Sequence, residues 1–255
     1  MSGVDVTVEG HLLVATIDRP EARNAVDDVV AQGIEAAIDR LEGDDALWVG
    51  ILTGVPPVFS AGADLKMINA GRFAELGTSR GGFAGITRRV RTKPLVAAVD
   101  GAALAGGTEI VLSCDLVVAS EAASFGIPEV KRSLVAAGGA LFRLPRRIPF
   151  NVAMEWALTG DPVDAGAAHR YGLVNRLCPA GGALDAAREL ARRITVNAPV
   201  AVRESRRAML DAAGVDEERG WELSERSMAA AMGSEDFREG LTAFIEKRPP
   251  AWTGR

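Results

Sequence analysis

Along the first forty residues, the spacing of apolar positions changes from strand-like to helical. Residues 4–9 alternate apolar and polar side chains, Gly10 and His11 follow, and residues 12–17 form a second apolar run. This order predicts a β-hairpin whose first strand is half-buried. Asp27 and Asp28 then precede a helical pattern, which predicts a helix capped by an aspartate. Its apolar positions are Val29, Val30, Ile34, Ala37, Ile38 and Leu41.

Short apolar runs and helical patterns alternate in the middle of the chain. Residues 49–53, 95–99 and 115–119 are typical of strands. We expect a Gly/Ala turn after residue 99 to lead into a helix that carries Glu109. The repeated strand–helix–strand order predicts an α/β fold with parallel strand pairing.

Beyond about residue 150 the pattern is helical. The predicted helices cover residues 151–159, 164–171, 184–196, 200–213 and 217–232. Ser234 is expected to cap a last helix, with Phe237, Leu241, Phe244 and Ile245 on one face. We therefore expect an α/β core over residues 1–195 and a helical region over residues 196–255, with no flexible linker between them.

Composition narrows the class of protein. The 255 residues are 48% hydrophobic, with few aromatics and a net charge of −5. A chain of this length can bury one substantial core, and the absence of a basic bias argues against a nucleic-acid partner. Cys114 and Cys178 form no CxxC pair. The chain contains no run of 18 apolar residues, so no membrane-spanning helix is expected. Residues 1–5 lack the start of a signal peptide, so a cytoplasmic protein is expected.

Two glutamates in apolar, glycine-rich surroundings are the strongest candidates for chemistry. Glu109 follows Ala105-Gly106-Gly107-Thr108, and Glu129 follows Phe125-Gly126-Ile127-Pro128. Apolar surroundings raise the pKa of a carboxyl group toward the range that is useful for proton transfer. Taken singly, Glu109 can instead complement a helix dipole, and Glu129 can be an ordinary loop carboxylate.

Small residues near both glutamates predict exposed backbone donors. The segment Ser60-Ala61-Gly62-Ala63-Asp64-Leu65-Lys66 follows a strand, so the Ala63 N–H can face a ligand at a helix start. Gly106 lies three residues before Glu109 and thus on the same helix face. Read alone, the Ser60–Lys66 segment is equally compatible with a tight strand-to-helix turn that needs Gly62. His11 and His169 have no metal-ligand spacing, so no metal site is expected.

Together these segments resemble the crotonase superfamily, in particular the enoyl-CoA hydratases, over almost the whole chain. The matching segments are residues 18–25 (DRPEARNA), 60–66 (SAGADLK), 101–115, 125–129 (FGIPE), 158–160, 172–175 and 239–250. The resemblance implies an α/β spiral of ββα units with C-terminal helices that form a trimer, sometimes doubled to a hexamer. It also implies an acyl-CoA thioester substrate, with coenzyme A as part of the substrate and no separate cofactor.

The same resemblance implies roles for individual residues. The Ala63 and Gly106 amides correspond to the oxyanion hole, and Glu109 and Glu129 to the two carboxylates of hydratases. The CoA portion is expected at Arg23, Ala61, Asp64, Leu65, Lys66 and Lys247, the last serving a neighbouring subunit in some members. Arg23, Lys66 and Lys247 can also be solvated surface cations.

Departures from the family pattern leave the acyl group open. Ala136-Ala137 replaces a common Pro-Gly pair, and Met67 replaces a common acid. Residues 138–146 resemble members that act on unusual acyl groups, including carnitinyl-CoA dehydratases. Residues 70–91 are expected to form a mobile lid or a surface loop. The leading hypothesis is a 2-enoyl-CoA hydratase. The alternatives are a dehydratase or isomerase of a carnitinyl, branched or steroid-derived acyl-CoA, and a non-catalytic acyl-CoA-binding protein.

Overall fold

The computed structural model describes residues 3–255. Residues 1 and 2, which begin the segment where no signal peptide is expected, lie outside the described residues. The strands are β1 (Val4–Glu9), β2 (Leu12–Ile17), β3 (Val49–Gly54), β4 (Val58–Ser60), β5 (Gly77–Thr78), β6 (Gly82–Phe83), β7 (Leu95–Val99), β8 (Ala102–Leu104), β9 (Leu116–Ser120), β10 (Ser124–Gly126), β11 (Val163–Asp164) and β12 (Arg176–Cys178).

Helices follow or separate these strands and dominate the second half of the chain. They are α1 (Asp28–Gly43), α2 (Leu65–Asn69), α3 (Gly106–Ser113), α4 (Ala140–Arg143), α5 (Phe150–Thr159), α6 (Ala165–Arg170), α7 (Ala183–Thr195), α8 (Pro199–Asp211), α9 (Glu217–Met232) and α10 (Glu235–Glu246). The 3₁₀ helices cover Pro20–Ala22, Phe73–Leu76, Pro128–Arg132 and Leu144–Arg146.

The main sheet has the strand order β1-β2-β3-β7-β9-β12. The β1–β2 hairpin is antiparallel, and the pairs from β2 onward are parallel. Successive side chains of a strand point to opposite faces, so Leu13 and Ile17 pack in one buried cluster with Ile34 of α1. Leu12 packs in a second cluster with Ala187 of α7. Helices therefore cover both faces, which explains why β3 and β7 are apolar almost throughout.

A smaller sheet, in the order β11-β10-β8-β4, carries the polar and glycine-rich loops. Strands β10 and β4 both pair in parallel with β8. Their carboxyl ends therefore lie at one edge of this sheet. The chain continues from the end of β4 to Ala63, from the end of β8 to Gly106, and from the end of β10 to Glu129.

The structure confirms most of the predicted elements. The β1–β2 hairpin has the predicted bounds, and the Asp27 side chain caps α1 by accepting a hydrogen bond from the Val30 N–H at 2.8 Å. Ser234 caps α10 in the same way, at 3.1 Å from the Phe237 nitrogen. Leu241, Phe244 and Ile245 of α10 are exposed in the single chain.

The expected Gly/Ala turn after residue 99 is wrong in part, because residues 102–104 form strand β8. Small residues give a weak β signal, and β8 exists because β4 and β10 supply hydrogen-bond partners on both sides. Strands β4, β10 and β12 were not predicted because three residues are too few to show an alternating pattern. No helix within residues 3–255 is long and apolar enough to cross a membrane.

Candidate active site

Two loops that leave the small sheet side by side place Ala63 next to Gly106. A Cβ on Gly62 would lie 2.7 Å from the Gly106 nitrogen, and one on Gly106 would lie 3.2 Å from the Gly62 Cα. Only glycine permits this approach, and Gly62 also has a φ of +87°. The contact between the two loops thus requires glycine at positions 62 and 106.

The backbone donors at Ala63 and Gly106 are free within the described residues. The neighbouring amides are occupied: Ala61 N–H donates to Arg23 O, and Asp64 N–H donates to Val26 O. Neither the Ala63 N–H nor the Gly106 N–H donates to an acceptor within residues 3–255. Gly106 is also the first residue of α3, where the helix dipole favours negative charge. Adjacent free donors of this kind can stabilise an oxyanion.

Ala105 holds a strained backbone conformation directly before Gly106. Its φ is +53° and its ψ is −124°, a region that residues with a Cβ rarely adopt. Its N–H donates to Gly126 O at 2.9 Å, which ties the turn to the end of β10. The strain therefore sets the direction in which the Gly106 N–H points as α3 begins.

Glu109 lies on α3, one turn after Gly106, and only 4% of its surface is exposed. Its Oε1 accepts a hydrogen bond from the Ala140 N–H at 3.2 Å. Burial raises the pKa of Glu109 to about 7. The backbone N–H groups of Ala140 and Gly138 oppose this rise, and the charge of Glu129 adds to it. A carboxyl group with this pKa exchanges protons readily near neutral pH.

Glu129 lies on the 3₁₀ helix Pro128–Arg132 and is half-buried. Burial raises the pKa of this carboxyl group as well. Its Oε2 is buried and has no hydrogen-bond partner within the described residues. An unpartnered carboxylate oxygen is costly in a structural position and is expected where a ligand will bind. Because the charge of Glu129 contributes to the raised pKa of Glu109, the two carboxyl groups lie within electrostatic range of one another.

Asp64 has a structural role in the first loop. Its carboxylate accepts a hydrogen bond from Arg19 at 2.7 Å and caps α2 by accepting from the Lys66 N–H at 2.9 Å. Burial alone would raise the pKa of Asp64, but these donors hold it below its ordinary value. This ion pair fixes the peptide that follows Ala63.

The other candidates for CoA binding fall into two groups: those beside the first loop, and Lys247 at the end of α10. Arg23 is exposed and its carbonyl accepts the Ala61 N–H at 3.0 Å, so both lie beside the first loop. Leu65 and Lys66 are exposed at the start of α2. Lys247 is exposed as the C-cap of α10. No hydrogen bond or ion pair found within residues 3–255 joins it to this site.

Several residues around the site were not singled out from the sequence. The Phe83 ring lies against Gly106, since a Cβ there would be 2.4 Å from the Phe83 Cζ. The Ala140 N–H binds Glu109, and a Cβ on Gly138 would lie 2.4 Å from the Glu109 Oε2. Among these residues, only the Gly138-Gly139 pair could have been noticed in the sequence, because glycines mark places where backbones approach closely.

Residues 70–91 are anchored to α1 rather than loosely attached. Thr78 donates a hydrogen bond to Glu35 at 2.7 Å, and Arg80 pairs with Asp39 at 2.6 Å. Leu76 and Ile86 are buried. Within residues 3–255, no three His, Cys, Asp or Glu side chains come together as metal ligands.

Comparisons with known proteins identify the family. The model of the enoyl-CoA hydratase/isomerase family matches residues 7–255. The mevalonyl-coenzyme A hydratase sidH of Aspergillus fumigatus is 40% identical over 95% of this chain and 91% of its own length. The carnitinyl-CoA dehydratase of Proteus mirabilis is 36% identical over 98% of both chains. The crystal structure of an enoyl-CoA hydratase from Mycobacterium tuberculosis H37Rv is 47% identical, covers 100% of both chains and superposes with a TM-score of 0.96.

The chain therefore belongs to the enoyl-CoA hydratase/isomerase family of the crotonase superfamily, as its motifs indicated. It is an enzyme of the hydro-lyase class. The expected crotonase-like α/β fold is confirmed by the same comparisons.

Proposed function

We propose that this enzyme adds water reversibly across the 2,3 double bond of a 2-enoyl-CoA thioester. The observation that carries the proposal is the meeting of two carboxyl groups with raised pKa values, Glu109 and Glu129, at the sheet edge that carries two free backbone donors. Proton transfer needs the first feature and a developing enolate needs the second.

In the hydration direction, Glu109 orients a water molecule and accepts its proton as the oxygen bonds to C3. The electrons of the double bond move toward the thioester carbonyl, and its oxygen becomes an enolate held by the Ala63 and Gly106 N–H groups. Each such donor stabilises the transition state by about 3–4 kcal/mol. Glu129 then gives a proton to C2, and the enolate electrons form the new C–H bond. The charge of Glu129 raises the pKa of Glu109, so protonation of one acid affects the other and the roles are coupled.

A dehydratase of an unusual acyl-CoA is the second candidate. The relatives that favour it are named as a carnitinyl-CoA dehydratase and a mevalonyl-coenzyme A hydratase, and they match nearly the full chain. Elimination is the reverse of the same steps, with Glu129 removing the C2 proton and Glu109 protonating the leaving hydroxyl.

The CoA portion and the assembly complete the proposal. Arg23 and Lys66 are exposed beside the Ala61–Ala63 loop, which suits them to bind CoA phosphates. Lys247 would reach a neighbouring subunit's ligand. A homotrimer or a dimer of trimers would cover the exposed apolar residues of α10, namely Leu241, Phe244 and Ile245.

A substrate panel tests this function. Crotonyl-CoA, longer 2-enoyl-CoAs and carnitinyl-CoA are incubated with the enzyme, and the absorbance of the conjugated thioester is followed. Hydration of linear enoyl-CoAs that is lost in Glu109→Gln and Glu129→Gln supports the proposal. Turnover of carnitinyl-CoA alone selects the dehydratase. Binding of acyl-CoA without turnover on any compound would identify a binding protein and contradict the proposal.

A further inference from the structure

Arg143 lies behind Glu109 and contacts three separate segments that surround it. Its Nη1 donates to Gly138 O at 3.2 Å and to the Ser113 Oγ at 3.4 Å, and its Nη2 donates to Thr87 O at 2.5 Å. These acceptors belong to the loop before α4, to the last residue of α3 and to the segment that follows β6. A planar guanidinium can hold three acceptors at fixed directions, which an ammonium group does less well.

The loop that Arg143 holds is the one that binds the Glu109 carboxylate. The Ala140 N–H donates to Oε1 of Glu109 at 3.2 Å, and Gly138 is so close that a Cβ there would lie 2.4 Å from Oε2. A Cβ on Gly139 would in turn lie 2.2 Å from the Arg143 Nη1. Glu109, residues 138–140 and Arg143 therefore form successive layers in direct contact.

Several charged side chains act on Glu109 and Arg143. The charge of Glu129 raises the pKa of Glu109, and the charge of Arg143 lowers it. The charges of Arg147, Arg91 and Arg146 act on Arg143 and lower its pKa, as burial does. Of these, Arg91 pairs with Asp115 at 3.1 Å, and Arg147 donates to Leu112 O at 3.3 Å and to Cys114 O.

The exposed Arg146 has its guanidinium 5.8 Å from the centroid of the Phe142 ring, and Arg143 approaches the same ring at 5.0 Å. Among the arginines of residues 3–255, Arg143 alone both acts on Glu109 with its charge and donates a hydrogen bond to the 138–140 loop.

We propose that Arg143 is a positioning residue for Glu109, which fixes the 138–140 loop against the carboxylate and favours its ionised form. This inference rests on the proposed function, because Glu109 is the group that must accept a proton from water. Arg143 acts through Glu109 and does not itself contact the substrate.

The experiment compares Arg143→Gln, Arg143→Lys and the control Arg146→Gln in the full-length enzyme. Two properties are measured: the kinetics of enoyl-CoA hydration, as kcat and the pH profile of kcat/KM, and the titration of Glu109 by infrared spectroscopy. The carboxylic acid band of Glu109 is identified by its loss in Glu109→Gln. Circular dichroism and the oligomeric state establish that each variant is folded.

In Arg143→Gln, we expect both the acid limb of kcat/KM and the infrared titration to move up by about one pH unit, because a nearby positive charge has been removed. In Arg143→Lys the limb should stay near its original pH while kcat falls about tenfold, because the charge remains but the fork of hydrogen bonds is lost. Arg146→Gln should change neither quantity.

An unchanged acid limb in a folded Arg143→Gln, or an equal shift in Arg146→Gln, would overturn the proposal. If Arg143→Gln does not fold, Arg143→Lys decides, since full kcat in that variant is incompatible with a positioning role. If no compound on the panel is hydrated, the proposed function fails. The infrared titration still tests the effect of Arg143 on Glu109 in that case.

Discussion

Glu109 and Glu129 share one site, but their surroundings differ. Glu109 is 4% exposed, lies on a regular helix and is bound by the Ala140 N–H. Glu129 is half-buried on a short 3₁₀ helix, and its Oε2 has no partner within residues 3–255. The first carboxylate is held in one direction, and the second is free to bond a ligand. This difference is the basis for the proposed roles, in which Glu109 orients water and Glu129 delivers a proton.

Removing either carboxylate gives the largest expected effect. Glu109→Gln and Glu129→Gln should each lower kcat for enoyl-CoA hydration by about 10²–10⁴-fold, the usual contribution of a general acid or base. The double variant should be little worse than either single one, because the two groups act as a unit. Steady-state rates measure this, with the exposed Glu121→Gln as the matched control. Additive losses in the double variant would mean that the two acids act independently.

A smaller loss is expected when Glu109 is displaced rather than removed. A Cβ at Gly138 would lie 2.4 Å from the Glu109 Oε2, so Gly138→Ala must push the carboxylate aside. We expect kcat to fall by about 10–100-fold, since a displacement of roughly 1 Å has that cost. Gly220→Ala is the control, because nothing lies within 4 Å of its Cβ. Normal kcat in Gly138→Ala would show that the orientation of Glu109 is not critical.

The sequence predicted the two glutamates but not what distinguishes them. Apolar neighbours and glycines indicated Glu109 and Glu129, and the strong patterns of β2, α1 and β7 were predicted correctly. The Ala140 N–H and the Phe83 ring reach the site through chain separations of 31 and 23 residues from Glu109 and Gly106, respectively. Such long-range contacts form around the small sheet, whose strands β4, β8 and β10 have three residues each. These strands are determined by their pairing partners more than by their own residues.

The two glutamates should also differ in their effect on stability. Burial raises the pKa of Glu109 to about 7 in the folded protein, whereas its ordinary pKa of 4.5 applies in an unfolded chain. Below the lower value both states are protonated and burial of the group has no electrostatic cost. As pH rises, the unfolded chain releases its proton first, so stability falls until about pH 7 and then stays low.

Glu109→Gln should therefore raise the free energy of unfolding by about 3 kcal/mol at pH 8 and by much less at pH 4. Urea unfolding at both pH values measures the difference. Glu129→Gln should stabilise less, because its side chain is only half-buried. An equal gain at pH 4 and pH 8 would mean that ionisation of Glu109 is not the cause.

The smallest effect is expected just outside the site, at the ion pair beside Glu129. Lys131 Nζ lies 2.5 Å from the Asp161 Oδ1, and both side chains are largely exposed, at 42% and 68%. Water screens such a pair, so Lys131→Ala should change the free energy of unfolding by less than about 1 kcal/mol and kcat by less than about twofold. Chemical denaturation and steady-state rates test this, with Lys131→Met keeping the length of the side chain without its charge. A tenfold loss of kcat in both variants would show that this pair holds the 3₁₀ helix of Glu129, and that Glu129 is as firmly positioned as Glu109.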